Sequence, residues 1–118
     1  MRKLYTGLTV LLGVAVGAQF YFAAAGAYGA SYRPHHTLGY VIFSLPVLML
    51  IVAAVGRLGA PLVIGPAVVA GLVTVEVIVA AVSRNFDGTA RGLVFGLHAL
   101  AAVGILLTVW RIANRLRS

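Results

Sequence analysis

Arg33-Pro34-His35-His36-Thr37-Leu38-Gly39-Tyr40 lies between two long apolar runs and holds two of the chain's three histidines. A polar break at this point divides the first half of the chain into two segments, each long enough to cross a bilayer. The rest of the sequence reads as a membrane-embedded frame that sets this stretch opposite the third histidine, His98.

The composition supports a membrane frame. Hydrophobic residues make up 62% of the 118 residues and charged residues only 9%, against roughly a quarter charged in soluble domains. No soluble fold of this size hides so much apolar surface, and the length suits a single domain over residues 1–118. A helix needs about 20 residues to span the hydrocarbon core. Four runs qualify, at about Leu4–Tyr28, Thr37–Val55, Pro61–Val82 and Leu93–Ile112. Backbone groups inside lipid cannot bond water, so helices are expected, and short loops favour antiparallel neighbours. The expected fold is an all-α four-helix transmembrane bundle built from two pseudo-repeated helical hairpins.

Nine Lys and Arg against two Asp and Glu give a net charge of +7. The cations flank the spans, and no basic surface interleaved with aromatics suggests nucleic-acid binding. Arg2, Lys3, Arg57, Arg111, Arg115 and Arg117 fall on one side, while Arg33, Arg84 and Arg91 fall on the other with Asp87. The positive-inside rule puts both termini in the cytoplasm and the His35/His36 loop on the outer face. This orientation is the one expected of a multi-pass protein of the bacterial cytoplasmic membrane. Arg2-Lys3, the apolar run and Ala23-Ala24-Ala25 also read as a secretory signal with a small-residue cleavage site. The run continues past a normal signal core and contains Gln19, which favours a retained span.

Gly13-x-x-x-Gly17 and Gly92-x-x-x-Gly96 predict close helix packing. Pro46 is expected to kink the second helix, whereas Pro61 and Pro66 lie in the first turns of the third, where proline costs less. Trp110, Tyr5, Tyr28 and Tyr32 are expected as interfacial anchors.

The two halves of the chain show a weak duplication. Gln19-Phe20-Tyr21-Phe22-Ala23-Ala24 aligns with Glu76-Val77-Ile78-Val79-Ala80-Ala81, and His35 with Gly39 aligns with His98 with Ala102. Each small residue lies one helical turn after its histidine. Two related hairpins would thus bring histidines from the second and fourth helices to one interior.

The absence of cysteine excludes thiolate metal sites, iron–sulfur clusters and covalent haem attachment. Neutral imidazole is a good haem-iron ligand, and a bis-histidine b-type haem suits His35 and His98, with Gly39 and Ala102 admitting a flat macrocycle. His36 is the fallback ligand. The sequence leaves a gap in depth, since His35 begins its helix while His98 follows Arg91 by seven residues, about 10 Å of helix. Gln19 and Glu76 are the other polar intramembrane residues, and such groups are functional candidates. Structural alternatives stay open: rim histidines in a polar loop, and a Glu76 that only hydrogen-bonds Gln19, His98 or water. Three histidines at different depths make a poor tetrahedral zinc set. No nucleophile–base pair, phosphate loop or paired carboxylates occur, so no catalytic activity of its own is expected.

With His35-His36-Thr37-Leu38-Gly39-Tyr40-Val41-Ile42 and Leu97-His98-Ala99-Leu100, the chain resembles a group of small four-span bacterial membrane proteins of unknown function. More distantly it is similar to one four-helix half of haem A synthase, and the HxxxG start of the second helix is similar to that of bacterial cytochrome b561. Histidines on such helices ligate haem in both families, so the resemblance implies His35 and His98 as the axial pair. Haem A synthase has a glutamate three residues before the ligand in its catalytic half, where this chain has Tyr32. The resemblance therefore carries the haem and not the oxygenase chemistry. Cytochrome b561 holds two haems with four histidines, whereas this chain has three histidines in all.

The functional expectation is a membrane protein binding one haem b, acting in electron transfer or haem handling beside a larger respiratory or oxidoreductase complex, or as a homo-oligomer. The rival expectations are a haem-free accessory or scaffold subunit and a transporter using Glu76.

Overall fold

The computed structural model describes residues 1–118. It holds four helices: α1 (Arg2–Ala27), α2 (Arg33–Val55), α3 (Ala60–Ser83) and α4 (Gly88–Arg117). All four are long and apolar enough to cross a membrane. α2, α3 and α4 run beyond their expected spans, most of all α4, while α1 starts two residues earlier and ends one residue sooner than expected. The molecule measures 48 × 23 × 20 Å, longer than a hydrocarbon core of about 30 Å.

Successive helices pack against each other and α4 closes on α1. The diagonal pairs, α1 with α3 and α2 with α4, have no Cα atoms within 8 Å. Side chains alone bridge the middle.

The α1–α2 and α2–α3 turns end their helices in the same way. Ala30 donates its backbone N–H to the Ala25 carbonyl, and Leu58 donates to Ala53, each at 3.0 Å. Such a closure needs a left-handed residue just after the helix. Gly29 supplies it in the first turn, with φ 101°, and Arg57 in the second, with φ 50°. Pro34 and Pro61 sit in the first turns of α2 and α3, where the missing N–H has no helical partner anyway. Pro46 and Pro66 lie inside their helices and are buried.

The core lies toward the end that holds the termini. Tyr5, Leu12, Met49, Ala53 and Val69 are fully buried there. Toward the other end, in the stretches 17–41 and 74–100, only Gly26 and Ser83 are buried.

Three sequence expectations are corrected here. Pro66 is not a low-cost first-turn proline, since it lies inside α3 and removes the helical donor to the Leu62 carbonyl. Tyr5 is no interfacial anchor, since it is sealed in the core with its hydroxyl donating to the Leu62 carbonyl at 2.7 Å. In an unbroken helix that carbonyl would accept from the N–H four residues on, but residue 66 is proline. Tyr5 thus satisfies an acceptor that Pro66 leaves vacant.

The two GxxxG pairs do not form tight contacts between helices either. A Cβ added at Gly17, Gly92 or Gly96 meets nothing within 4 Å, and one at Gly13 only touches Val109 at 3.8 Å. The close approach occurs at Gly65, where a Cβ would lie 2.6 Å from Ile112 Cγ1, and at Gly104, 3.1 Å from Leu72. Both join α3 to α4. Trp110, Tyr28 and Tyr32 are exposed, as an anchoring role requires.

Candidate functional site: a polar chain across the bundle

Each helix contributes one polar side chain to the loosely packed end. Gln19 comes from α1, His35 from α2, Glu76 from α3 and His98 from α4. All four are half-buried; Gln19 meets His35, Glu76 meets His98, and the two histidine rings lie side by side.

The two histidines make equivalent contacts with the helix before them. His35 Nδ1 lies 3.4 Å from the Gln19 carbonyl oxygen, and His98 Nδ1 lies 3.0 Å from the Glu76 carbonyl oxygen. The aligned residues of the weak duplication thus occupy matching places in the two hairpins. A backbone carbonyl only accepts, so each Nδ1 carries the proton. In the neutral ring Nε2 then keeps its lone pair.

The depth gap seen in the sequence closes in the folded chain. The His35 and His98 ring centroids are 6.3 Å apart, with the rings inclined at 49°. His35 is the third residue of α2 and His98 the eleventh of α4. With the rings level, the start of α4 stands eight residues further out, roughly 12 Å. Most residues in that overhang are exposed.

His36 takes a different place. It is exposed, and its ring stacks on Tyr32 with centroids 6.3 Å apart and planes 16° apart. Tyr32 in turn rests over Gly26, where an added Cβ would lie 2.5 Å from the tyrosine ring. The rim and inward histidines remain neighbours, with ring centroids 6.0 Å apart, and Tyr32 also meets His35 edge-on at 6.2 Å.

The side chains of the first hairpin and the second differ. Gln19 Nε2 donates to the His35 carbonyl at 2.9 Å, while its buried Oε1 has no hydrogen-bond partner in the protein. Glu76 Oε1 approaches His98 Nε2 at 3.9 Å, an ion-pair distance only if the ring is protonated. Gly39 faces Gln19, but a Cβ there would make ordinary contact with Nε2 at 3.7 Å. Packing within the chain does not require glycine at that position. Ala102 is half-buried one turn after His98.

Three features of the site escaped the sequence reading. The carbonyls of Gln19 and Glu76 position the imidazoles, whereas only their side chains were singled out. Phe95 stacks on His98 with centroids 4.9 Å apart and planes 12° apart. Its spacing of three residues from His98 on one helix was the available signal. Tyr32 supports His36, though it was expected only as an anchor. No group of three or more His, Cys, Asp or Glu side chains forms a metal cluster. Two imidazoles, one from α2 and one from α4, meet at this end of the bundle.

The model of a family of unknown function, DUF6220, matches residues 19–84, more than half of the chain. The match includes Gln19, His35, His36, Gly39 and Glu76 and ends before α4. No curated protein and no solved structure matches the chain.

Proposed function

The chain belongs to the DUF6220 family, and from that premise we propose that it is a membrane haem protein holding one b-type haem between His35 and His98. The observation that carries this reading is the facing pair of imidazoles, each tied at Nδ1 to a backbone carbonyl. Metal-ligating histidines commonly donate their second ring nitrogen in this way, which fixes the tautomer and raises ligand basicity.

The donor chemistry suits the group: with Nδ1 of each ring on a backbone carbonyl, Nε2 of His35 and of His98 would be left to hold an iron. The His35–His98 separation is 6.3 Å. No backbone of α2 or α4 crowds the diagonal, and small residues at Gly39 and Ala102 follow the histidines. The similarity of the two histidine motifs to haem A synthase and cytochrome b561 supports the same assignment.

When bound, haem supplies a one-electron iron couple. Within the chain, His35 and His98 would hold the iron while the Gln19 and Glu76 carbonyls keep their rings oriented. Phe95 restrains the His98 ring from its stacked face. The Glu76 carboxyl is the residue nearest His98 that can carry opposing charge. The charge distribution supports an orientation with the termini in the cytoplasm and the histidine end at the outer face of a bacterial cytoplasmic membrane. One haem near one face does not by itself carry electrons across the bilayer. The role is electron transfer or haem handling beside a larger oxidoreductase partner.

A second reading rests on a separate observation. The Gln19 amide bond to His35 and the approach of Glu76 to His98 also suit a haem-free accessory subunit whose polar residues lock the helices.

Absorption spectra of detergent-purified protein, oxidised and dithionite-reduced, separate the two. A Soret band with sharp reduced α and β peaks is expected in the wild type and in His36→Ala, and is expected to vanish in His35→Ala and His98→Ala. A colourless wild type, even when expressed with added haem, would sink the haem reading and favour the accessory subunit.

A further inference from the structure

The end of the bundle opposite the histidines carries cations without acidic partners. Arg2 and Lys3 open α1, Arg57 lies in the α2–α3 turn, and Arg111, Arg115 and Arg117 occupy the last turns of α4. The chain's two acids are elsewhere: Glu76 is beside His98, and Asp87 precedes α4. Even Arg2 donates to a neutral group, the Leu116 carbonyl, at 3.3 Å.

Arg111, Asn114, Arg115 and Ser118 line an open groove of about 500 Å³. Spacings of three and four put these residues on one face of α4. The same face continues inward through Leu107 and Val103, which are 52% and 48% exposed. A cationic, hydrogen-bonding groove therefore stands at the head of an exposed apolar stripe. The 30 residues of α4 extend about 45 Å, well beyond a hydrocarbon core of about 30 Å, so its last turns reach headgroup level.

We propose that this groove binds the phosphate headgroup of an anionic phospholipid, with an acyl chain lying along Leu107 and Val103. Two guanidinium groups one turn apart supply charge and paired donors suited to a phosphate. Asn114 and Ser118 add neutral hydrogen bonds. Free phosphate would use the groove alone, whereas a lipid uses the groove and the stripe together.

The chain's single tryptophan, Trp110, is 61% exposed beside Arg111 and reports on this site. Full-length protein is reconstituted in phosphatidylcholine containing a small fraction of brominated phosphatidylglycerol or brominated phosphatidylcholine. The anionic lipid is expected to quench Trp110 more strongly at equal fractions. Arg111→Gln with Arg115→Gln is expected to lower its relative affinity roughly 10- to 30-fold, given the contribution of each basic residue near a charged surface. Arg84→Gln with Arg91→Gln, at the other end, is expected to leave quenching unchanged. Should the first pair prevent folding, exposed Arg115→Gln alone provides the readout, with a loss of roughly fivefold. Equal quenching by the two lipids overturns the proposal. Relief of quenching by millimolar inorganic phosphate at matched ionic strength also overturns it, because that identifies a phosphate site without a lipid.

Discussion

Leu12, Met49, Ala53 and Val69 are fully buried at the terminal end of the bundle, while Gln19, His35, Glu76 and His98 are only half-buried at the other. The same four helices make both ends, so the difference lies in which side chains occupy them. Leucine, isoleucine, valine and methionine fill the space near the termini. Near the histidines, α1 offers Ala23, Ala24, Ala25 and Gly26, and α3 offers Ala80 and Ala81. Small side chains cover less of their neighbours, and four polar groups lie half-buried among them. Tight packing at one end holds the helices in register. The other end can then carry a site without also carrying the fold.

The largest expected effect tests that division directly. Leu12→Ala removes a side chain with no exposed surface, and such truncations cost about 2–5 kcal/mol when the site cannot collapse. Leu97→Ala removes a leucine that is 52% exposed at the histidine end, and is expected to cost less than about 0.5 kcal/mol. Unfolding in mixed micelles of increasing dodecyl sulfate content measures both. Equal losses would mean that the two ends contribute alike and that the comparison is mistaken.

Gly65→Ala comes next. The new Cβ would lie 2.6 Å from Ile112 Cγ1, and Ile112 is itself only 3% exposed. Neither helix can yield without moving the other, so overpacking is expected to cost about 1–3 kcal/mol. The same unfolding assay checks it.

Tyr5→Phe probes a single bond inside the packed end. Loss of the hydroxyl leaves the Leu62 carbonyl without the donor that Pro66 cannot supply, a loss of about 1–2 kcal/mol for a buried acceptor. In Pro66→Ala the backbone regains its N–H, and Tyr5→Phe on that background should cost distinctly less. A double-mutant cycle with no coupling between the two sites would reject this account of why Tyr5 is buried.

That bond also marks the limit of what could be read from the chain. The four helices follow from run length and hydropathy, because lipid leaves a continuous apolar segment few alternatives. Tyr5 sits beside Arg2 and Lys3 in sequence, a setting that favours an interfacial anchor. Its burial depends on a proline 61 residues away, and only the packing of α1 on its neighbours reveals the connection. GxxxG spacing likewise specifies that two glycines share a face, but not which face meets another helix. The contacts fell instead to Gly65 and Gly104, which have no partner glycine at that spacing. The histidines were legible as candidates because polar residues in apolar runs stand out. Their shared interior follows from the duplicated hairpins, but their matching depth does not, since it depends on where α4 begins, five residues before the apolar run at Leu93.

The smallest effect gives the finest comparison, because the insertion is nearly the same as at Gly65. In Gly26→Ala the added Cβ would lie 2.5 Å from the Tyr32 ring, an overlap matching that at Ile112. Tyr32, however, is 44% exposed at the start of α2, and its ring can swing outward where Ile112 cannot. The expected loss is under about 0.5 kcal/mol, as for substitutions that surface groups absorb. The displaced ring would still leave His36, which stacks on Tyr32 at 6.3 Å, while the His35 contact with the Gln19 carbonyl stays in place. Unfolding in mixed micelles measures the stability, and histidine side-chain NMR shifts should move for both His36 and His35, whose rings lie 6.3 and 6.2 Å from that of Tyr32. A loss as large as that of Gly65→Ala would show that the histidine end is as rigid as the terminal end, and would remove the physical basis for treating it as the adaptable half.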